Sequence, residues 1–259
     1  MSHFQYIKKS DVDSLISEKK HDNAVIFLSG PTSVNTSLTL LKNSDVIAVN
    51  GSARYLLDND IKPFIYVLTD DRFLLQRNED FKLFVKESKF TIVNCDVYEK
   101  ASIEDKRFLQ ENCYIIKMLY KREKGGFFKK IKFKILSMKN KNILISVPWS
   151  KRKRLVGFSL DISDGYCSCH TVAYAAIQIA YSLRYTKIIC SGLDLVDSCS
   201  RFYDKNGEPS MPSELSRDLG KILPFFQFMR DNVTDINIYN LSNNTAIDYN
   251  VIPYIEADE

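Results

Sequence analysis

The sequence predicts an α/β fold, a mostly parallel sheet flanked by helices, as one domain over residues 1–259. Three observations point there. Short apolar runs recur with helical stretches between them, the alternation that builds parallel sheets. The first three runs each end in small or polar residues, which gathers ligand-binding chemistry along one sheet edge. The stretch Gly165 to Asp194 then joins a helical pattern to a further strand that ends in Ser-Gly-x-Asp.

Asp11 to Lys20 reads as a polar leading helix. Its Asp11-Val12-Asp13 has the D-x-D form that holds metal in nucleotide-sugar enzymes, but it sits where helix caps belong, and capping is the reading taken. Ala24–Leu28 is the first strong strand, followed by Ser29-Gly30-Pro31-Thr32-Ser33. Strands are expected again at Val46–Val49, Phe64–Leu68, Phe90–Val93 and Tyr114–Ile116, with helices across Phe73–Glu87 and Ser102–Gln110. The second and third strands end in Asn50-Gly51-Ser52 and Thr69-Asp70-Asp71-Arg72.

In the second half, Gly165 and Ser168 can start a helix, and Val172, Ala176, Ile179, Ala180 and Leu183 recur at helical spacing. The run Ile188-Ile189-Cys190 suits a buried strand and leads into Ser191-Gly192-Leu193-Asp194. Glycine lets backbone approach a ligand closely. A helix N-terminus offers N–H groups and a positive dipole end to a phosphate or carboxylate. An ordinary buried helix–strand unit carries the same pattern, so this stretch alone leaves both readings open. An irregular loop over about 195–213 is long enough for a lid. Ser213–Asn232 is the last amphipathic helix and Ile236–Tyr239 the last strand.

Hydrophobic content of 45% with 26% charged residues describes a soluble globular chain. No run of about 18 apolar residues is present to span a membrane, and the N-terminus lacks the apolar core of a signal peptide. The six cysteines form no disulfide framework and read as reduced and cytosolic. Cys167, Cys169 and His170 have no second ligand pair nearby, so no metal site is expected. Neither G-x-G-x-x-G nor GxxxxGK[ST] occurs, which argues against a dinucleotide fingerprint and against ATP hydrolysis.

Charge is segregated. Residues 117–154 hold fourteen Lys and Arg against the single acid Glu123, so a chain of net +4 leaves −9 for the rest. Such a segment calls for an anionic partner. It mixes lysines with Phe127, Phe128, Ile131, Phe133 and Ile135, which suits either a membrane-surface element or a solvated basic helix partly packed on the core. No RNA- or DNA-reading motif accompanies it, so nucleic acid is not the expected partner.

Strand-SGPTS, strand-VNGS, the CHTVAYAA helix, IICSGLD and the closing NLSNNTAI together resemble the bacterial sialyltransferase-like glycosyltransferases that use CMP-sugars. Over almost the whole chain the sequence is similar to the enterobacterial lipopolysaccharide-core transferases that add a third residue of 3-deoxy-D-manno-octulosonic acid (Kdo). The resemblance implies a Rossmann-like fold (a glycosyltransferase-A variant), CMP-Kdo as donor and a lipid A-core glycolipid as acceptor. It implies nucleotide contacts at Gly30, Thr32, Ser33, Asn50, Thr171, Ser191, Gly192 and Asp194. The family asparagine after the third strand falls on Thr69 or Asp70. Of two tyrosines that hold the leaving phosphate, one position carries Val196 and the other is matched, one residue displaced, by Tyr203. The family's lid histidine has no counterpart, because no histidine follows His170.

Cleaving a CMP-sugar bond passes through an oxocarbenium-like state, by analogy with glycoside cleavage. The departing phosphate must be neutralised, the donor carboxylate held and a proton taken from the acceptor. CMP leaves as a monophosphate, so no obligatory metal or other cofactor is expected. His170 is the first candidate for the base, because a helix N-terminus favours a neutral imidazole. Asp194 and Asp204 are its rivals, and Tyr203 is the candidate phosphate donor. A structural histidine at a helix start fits the same position. A non-catalytic CMP-binding assembly factor fits the missing lid histidine.

Overall fold

A computed structural model describes residues 4–120, 127–148, 155–196, 201–203 and 215–256. The first half alternates. After helix α1 (Lys9–Ser17) come β1 (Asn23–Phe27), α2 (Leu38–Lys42), β2 (Asp45–Val49), α3 (Ala53–Asp58) and β3 (Ile65–Leu68). Two helices, α4 (Asp71–Gln76) and α5 (Asn78–Glu87), precede β4 (Phe90–Asn94), and α6 (Cys95–Lys100) and α7 (Ile103–Asn112) precede β5 (Tyr114–Ile116). The basic segment contributes β6 (Met118–Tyr120), α8 (Phe127–Lys139) and β7 (Ile143–Ser146). There follow β8 (Val156–Ser159), β9 (Tyr166–Cys167), α9 (Val172–Ser182), β10 (Lys187–Ser191), α10 (Leu215–Asn232) and β11 (Asn237–Asn240).

Seven strands form one all-parallel sheet in the order β11-β10-β1-β2-β3-β4-β5. Strand order runs outward from β1 to β5, then resumes on the other side of β1 with β10 and β11. The reversal lies between β1 and β10, and a crevice opens at such a switch point beyond the carboxyl ends of the strands. The predicted Rossmann-like parallel sheet is therefore the fold found.

Both sheet faces are covered, which explains the unbroken apolar runs. Ala24, Ile26, Ile47, Val67 and Ile188 pack on one side with α9. Their neighbours Val25, Phe27, Ala48, Tyr66 and Ile189 pack on the other with Leu56, Phe73, Phe81 and Phe84. Helix α9 is buried nearly all round and packs over β1, β2 and β3. Its one buried amide is fully used. Gln178 Oε1 accepts from the backbone N–H of Ser159 and of Cys167, both at 2.9 Å. Gln178 Nε2 donates to the carbonyls of Cys167 and Tyr174, both at 3.0 Å. An unmet amide at such depth would cost about 1–3 kcal/mol; here it ties the two small strands to the helix.

Three expected elements differ. The helix expected from Gly165 or Ser168 begins only at Val172, because Tyr166 and Cys167 pair with β6 as a strand. The helix over Phe73–Glu87 is two helices meeting at Arg77, whose backbone (φ −133°, ψ 47°) is not helical. Asp11 caps α1 from inside the first turn, accepting from the Lys8 N–H at 2.7 Å.

Candidate active site

The strand ends meet as their polarity foretold. After β1 the chain turns through Ser29 and Gly30 into a 3-10 turn, Pro31–Asn35, and after β10 through Gly192 to Asp194. The two turns lock together. The Thr32 N–H donates to Asp194 Oδ2 at 3.1 Å, and the Thr32 hydroxyl donates to Asp194 Oδ1. Gly30 sits so close to this clamp that a Cβ on it would lie 2.7 Å from Asp194 Cγ and overlap the Gly192 carbonyl. Ser33 Oγ bonds to the carbonyls of Leu28 (2.9 Å) and Gly30 (2.8 Å) and fills the space beside Gly192. Thr36 Oγ1 and Ser191 Oγ stand 2.6 Å apart beneath them.

A second group lies one strand over. Asn50 follows β2 with φ 48°, in the left-handed region that few non-glycine residues occupy. Its Oδ1 is buried and has no hydrogen-bond partner among the described residues. Ser52 underpins this turn, donating to the Phe27 carbonyl at 2.7 Å and accepting from the Val49 N–H at 3.0 Å. Against Gly51 lies the Tyr203 ring, where an added Cβ would stand 2.7 Å from ring carbons. The Arg77 guanidinium stands 5.5 Å from the same ring's centroid.

Residues 195–196 and 201–203 are the described parts of the expected lid, whose other residues up to 213 lie outside the described set, Asp204 among them. The second of these short pieces covers three strand ends. The Phe202 N–H donates to the Ser29 carbonyl after β1 at 3.2 Å, and Tyr203 lies against Gly51 after β2. Arg201 acts on Asp70 after β3. Burial pushes the Asp70 carboxyl up, but the hydrogen bonds and charge of Arg72, with Arg201 adding to them, hold it below its ordinary value. Asp70 caps α4 and grips Arg72 through both oxygens, at 2.9 Å to Nε and 2.7 Å to Nη2. The Thr69 carbonyl accepts from Asn94 Nδ2 at 3.1 Å, and that amide also bonds the Tyr166 hydroxyl.

Helices α9 and α10 lead directly into β10 and β11, so they run against the strands and begin at this same edge. Thr171 caps α9, its hydroxyl accepting from the Ala173 N–H at 3.3 Å. His170, just before it, has φ 38° and stands 2.6 Å through Nδ1 from Asp218 Oδ2 on α10. Burial pushes the Asp218 carboxyl up, but hydrogen bonds from Lys221 and His170 outweigh it and leave it below the usual range. An ionised Asp218 accepts, so Nδ1 carries the proton. Leu195 (φ 45°) is a further left-handed residue here, and strain of this kind gathers at functional sites.

Thus Gly30, Thr32, Ser33, Ser191, Gly192 and Asp194 form one cluster, with Asn50 and Tyr203 beside it. Thr69 and Asp70 end the third strand, and the contacts described for His170 run to α10. Asp194 is engaged by Thr32 through both oxygens, the bonding of a clamp. Sequence reasoning missed Thr36, Asn94 and Asp218, and took in Ser52 only as part of the Asn50-Gly51-Ser52 strand end. Of the three missed, Asp218 carried a signal, an acid near the start of the last helix. Among the described residues no group of three or more His, Cys, Asp or Glu side chains is set to hold a metal ion.

Comparison with known proteins agrees with this architecture. Residues 6–258 match the family model of the 3-deoxy-D-manno-octulosonic acid transferase WaaZ. The chain is 64% identical over its full length to 91% of an Escherichia coli K12 protein described as "Probable 3-deoxy-manno-octulosonic acid transferase". It is 62% identical, again over its full length, to 96% of the Salmonella typhimurium LT2 protein of the same description. Among solved structures, the monofunctional α-2,3-sialyltransferase Cst-I of Campylobacter jejuni superposes with a TM-score of 0.50 at 16% identity, over 98% of this chain and 84% of that one. That likeness is one of fold. By its sequence, this chain belongs to the family of the 3-deoxy-D-manno-octulosonic acid transferase WaaZ.

Proposed function

We propose that this enzyme transfers Kdo from CMP-Kdo to the Kdo region of the lipopolysaccharide inner core. The observation that carries the donor assignment is the buried Asn50 Oδ1, an acceptor with no hydrogen bond among the described residues, held at the end of the strand next to the Gly30–Gly192 crevice. A nucleotide hydroxyl or amino group would satisfy it, and an unmet buried acceptor otherwise costs about 1–3 kcal/mol. Tyr203 donates to the departing phosphate of CMP. His170 takes the acceptor's proton through Nε2, with Asp218 fixing the tautomer, as an acid fixes histidine in hydrolytic triads. Asp194 clamps the crevice, and no obligatory metal takes part. The lipid-anchored acceptor brings the enzyme to the inner face of the cytoplasmic membrane, with contact through residues 117–154. No described helix is long and apolar enough to cross the membrane.

The test is incubation with CMP-Kdo and a Kdo-bearing lipid A acceptor, with and without EDTA, followed by mass analysis. A gain of one Kdo residue in both arms supports the reading; no gain in either sinks the transferase assignment. Donor selectivity has its own check. CMP at a hundredfold excess over Kd adds about 2.7 kcal/mol of stability, which raises Tm by several degrees, and AMP and UMP are expected to do less. Equal shifts from all three would remove the cytidine donor.

A further inference from the structure

Helix α8 is built inside out. Its inward face holds Lys130, only 8% exposed, whose Nζ donates to the Pro148 carbonyl at 2.9 Å. Phe133 packs beside it against the core. Its outward face holds Phe128, Ile131, Ile135 and Met138, exposed by 85%, 41%, 47% and 74%. At 3.6 residues per turn their spacing of three, four and three gathers them in one arc of about 80°. Lys132 and Lys139 flank the arc on one side and Lys134 on the other, all exposed. A merely solvated basic helix would turn its lysines to water and its apolar row to the protein. This helix spends a lysine on the interior and keeps the row outside.

We propose that the outer face of α8 docks on an anionic lipid bilayer. Phe128, Ile131, Ile135 and Met138 enter the boundary between headgroups and acyl chains, while Lys132, Lys134 and Lys139 lie at the level of the lipid phosphates. This rests on the proposed function for the place of the acceptor and adds which face meets the membrane. A narrow apolar row bordered by cations suits an interfacial helix. Charge selects among occupants. A second copy laid row to row would bring lysine against lysine, in a segment with fourteen basic residues and one acid. Anionic headgroups neutralise them instead.

The experiment is sedimentation of the full chain with vesicles of phosphatidylethanolamine and phosphatidylglycerol, against vesicles of phosphatidylcholine alone. Binding is expected to the anionic vesicles only and to weaken as salt rises. Two variants change exposed positions alone: Ile131→Ser/Ile135→Ser/Met138→Ser, and Lys132→Gln/Lys134→Gln/Lys139→Gln. Each is expected to lose at least tenfold in vesicle partition while keeping the wild-type Tm and the CMP-induced Tm shift. In the glutamine variant, residual binding should no longer respond to salt. Wild-type protein that ignores anionic vesicles at low salt overturns the proposal. So does a serine variant that binds as well as wild type, or a row that instead makes a dimer in sedimentation velocity. Vesicle binding lost in both variants, in a protein that shows no turnover of CMP-Kdo, counts against the transferase reading and supports the docking face.

Discussion

Gly192→Ala tests the crevice at its tightest point. Gly192 has φ +72°, where a Cβ costs about 1–2 kcal/mol in backbone strain. The same Cβ would overlap Ser33 Oγ and stand 3.1 Å from Ser33 Cβ and from the Gly30 nitrogen. Forcing an extra carbon into a packed site adds about 1–3 kcal/mol. The expected loss is therefore about 2–5 kcal/mol, or a Tm lower by roughly 5–15 °C for a chain of this size. Most of the second contribution comes from one atom, and Ser33→Ala removes it. That change alone forfeits a hydroxyl shared between the Leu28 and Gly30 carbonyls, worth about 1 kcal/mol. In the double variant the overlap is gone while the strain remains, so the two losses should fall short of additivity by about 1–2 kcal/mol. Urea unfolding of all four proteins measures this. Additivity within about 0.5 kcal/mol would show that Ser33 Oγ does not occupy the space over Gly192, and the described interlock of the β1 and β10 turns would be wrong.

Three further outcomes are expected. Tyr203→Phe should lower turnover by about ten- to a thousandfold, the scale of one charge-stabilising donor, with little change in CMP affinity; steady-state kinetics beside calorimetry reads both, and unchanged turnover removes Tyr203 from the phosphate. Gly51→Ala drives a Cβ into the Tyr203 ring and should depress turnover as far as Tyr203→Phe does; a fully active variant would show that the ring lies elsewhere in the working enzyme. Asp218→Asn should destabilise the protein at neutral pH. The folded Asp218 carboxyl lies below its ordinary value, so its contribution is present above about pH 4 and is lost as pH falls through the lowered one. Unfolding free energies of the two proteins should converge in acid, and a gap that widened there would reverse the sign assigned to Asp218.

The central strands were legible because burial on both faces leaves no room for polar alternation: Ala24–Leu28 and Val46–Val49 read as unbroken apolar runs closed by Gly30 and by Asn50-Gly51. The strand-end polarity of the first half and the Ser-Gly-x-Asp turn named most of the cluster for the same reason. What stayed hidden depends on distant partners. Tyr166 and Cys167 are a strand only because they pair with Met118 and Tyr120. Gly165, read as a helix start, instead has φ +111° where a Cβ would stand 2.8 Å from the Lys117 carbonyl. The break at Arg77 has no glycine or proline to announce it. There Arg77 holds Asp80, in the first turn of α5, at 2.8 Å through Nε. In α8 the mix of lysines and apolar residues was plain, but it does not say which of them turn inward, and the structure buries Lys130 while Phe128, Ile131, Ile135 and Met138 stay exposed.

The proposed mechanism gives the role of base to a residue of the frame rather than of the lid. A base carried on a lid reaches the substrate only when the lid closes. His170 instead stands at the start of α9, the helix that packs over β1, β2 and β3, and is braced by Asp218 from α10, the helix leading into β11. Its left-handed backbone would relax if the imidazole lost that partner, because strain of about 1–3 kcal/mol persists only where the surroundings over-determine it. Lys221 holds Asp218 from the same helix, so the brace is itself fixed. Under the proposed mechanism the proton acceptor is then positioned before substrate arrives, and residues 201–203 are left to cover the donor end of the crevice.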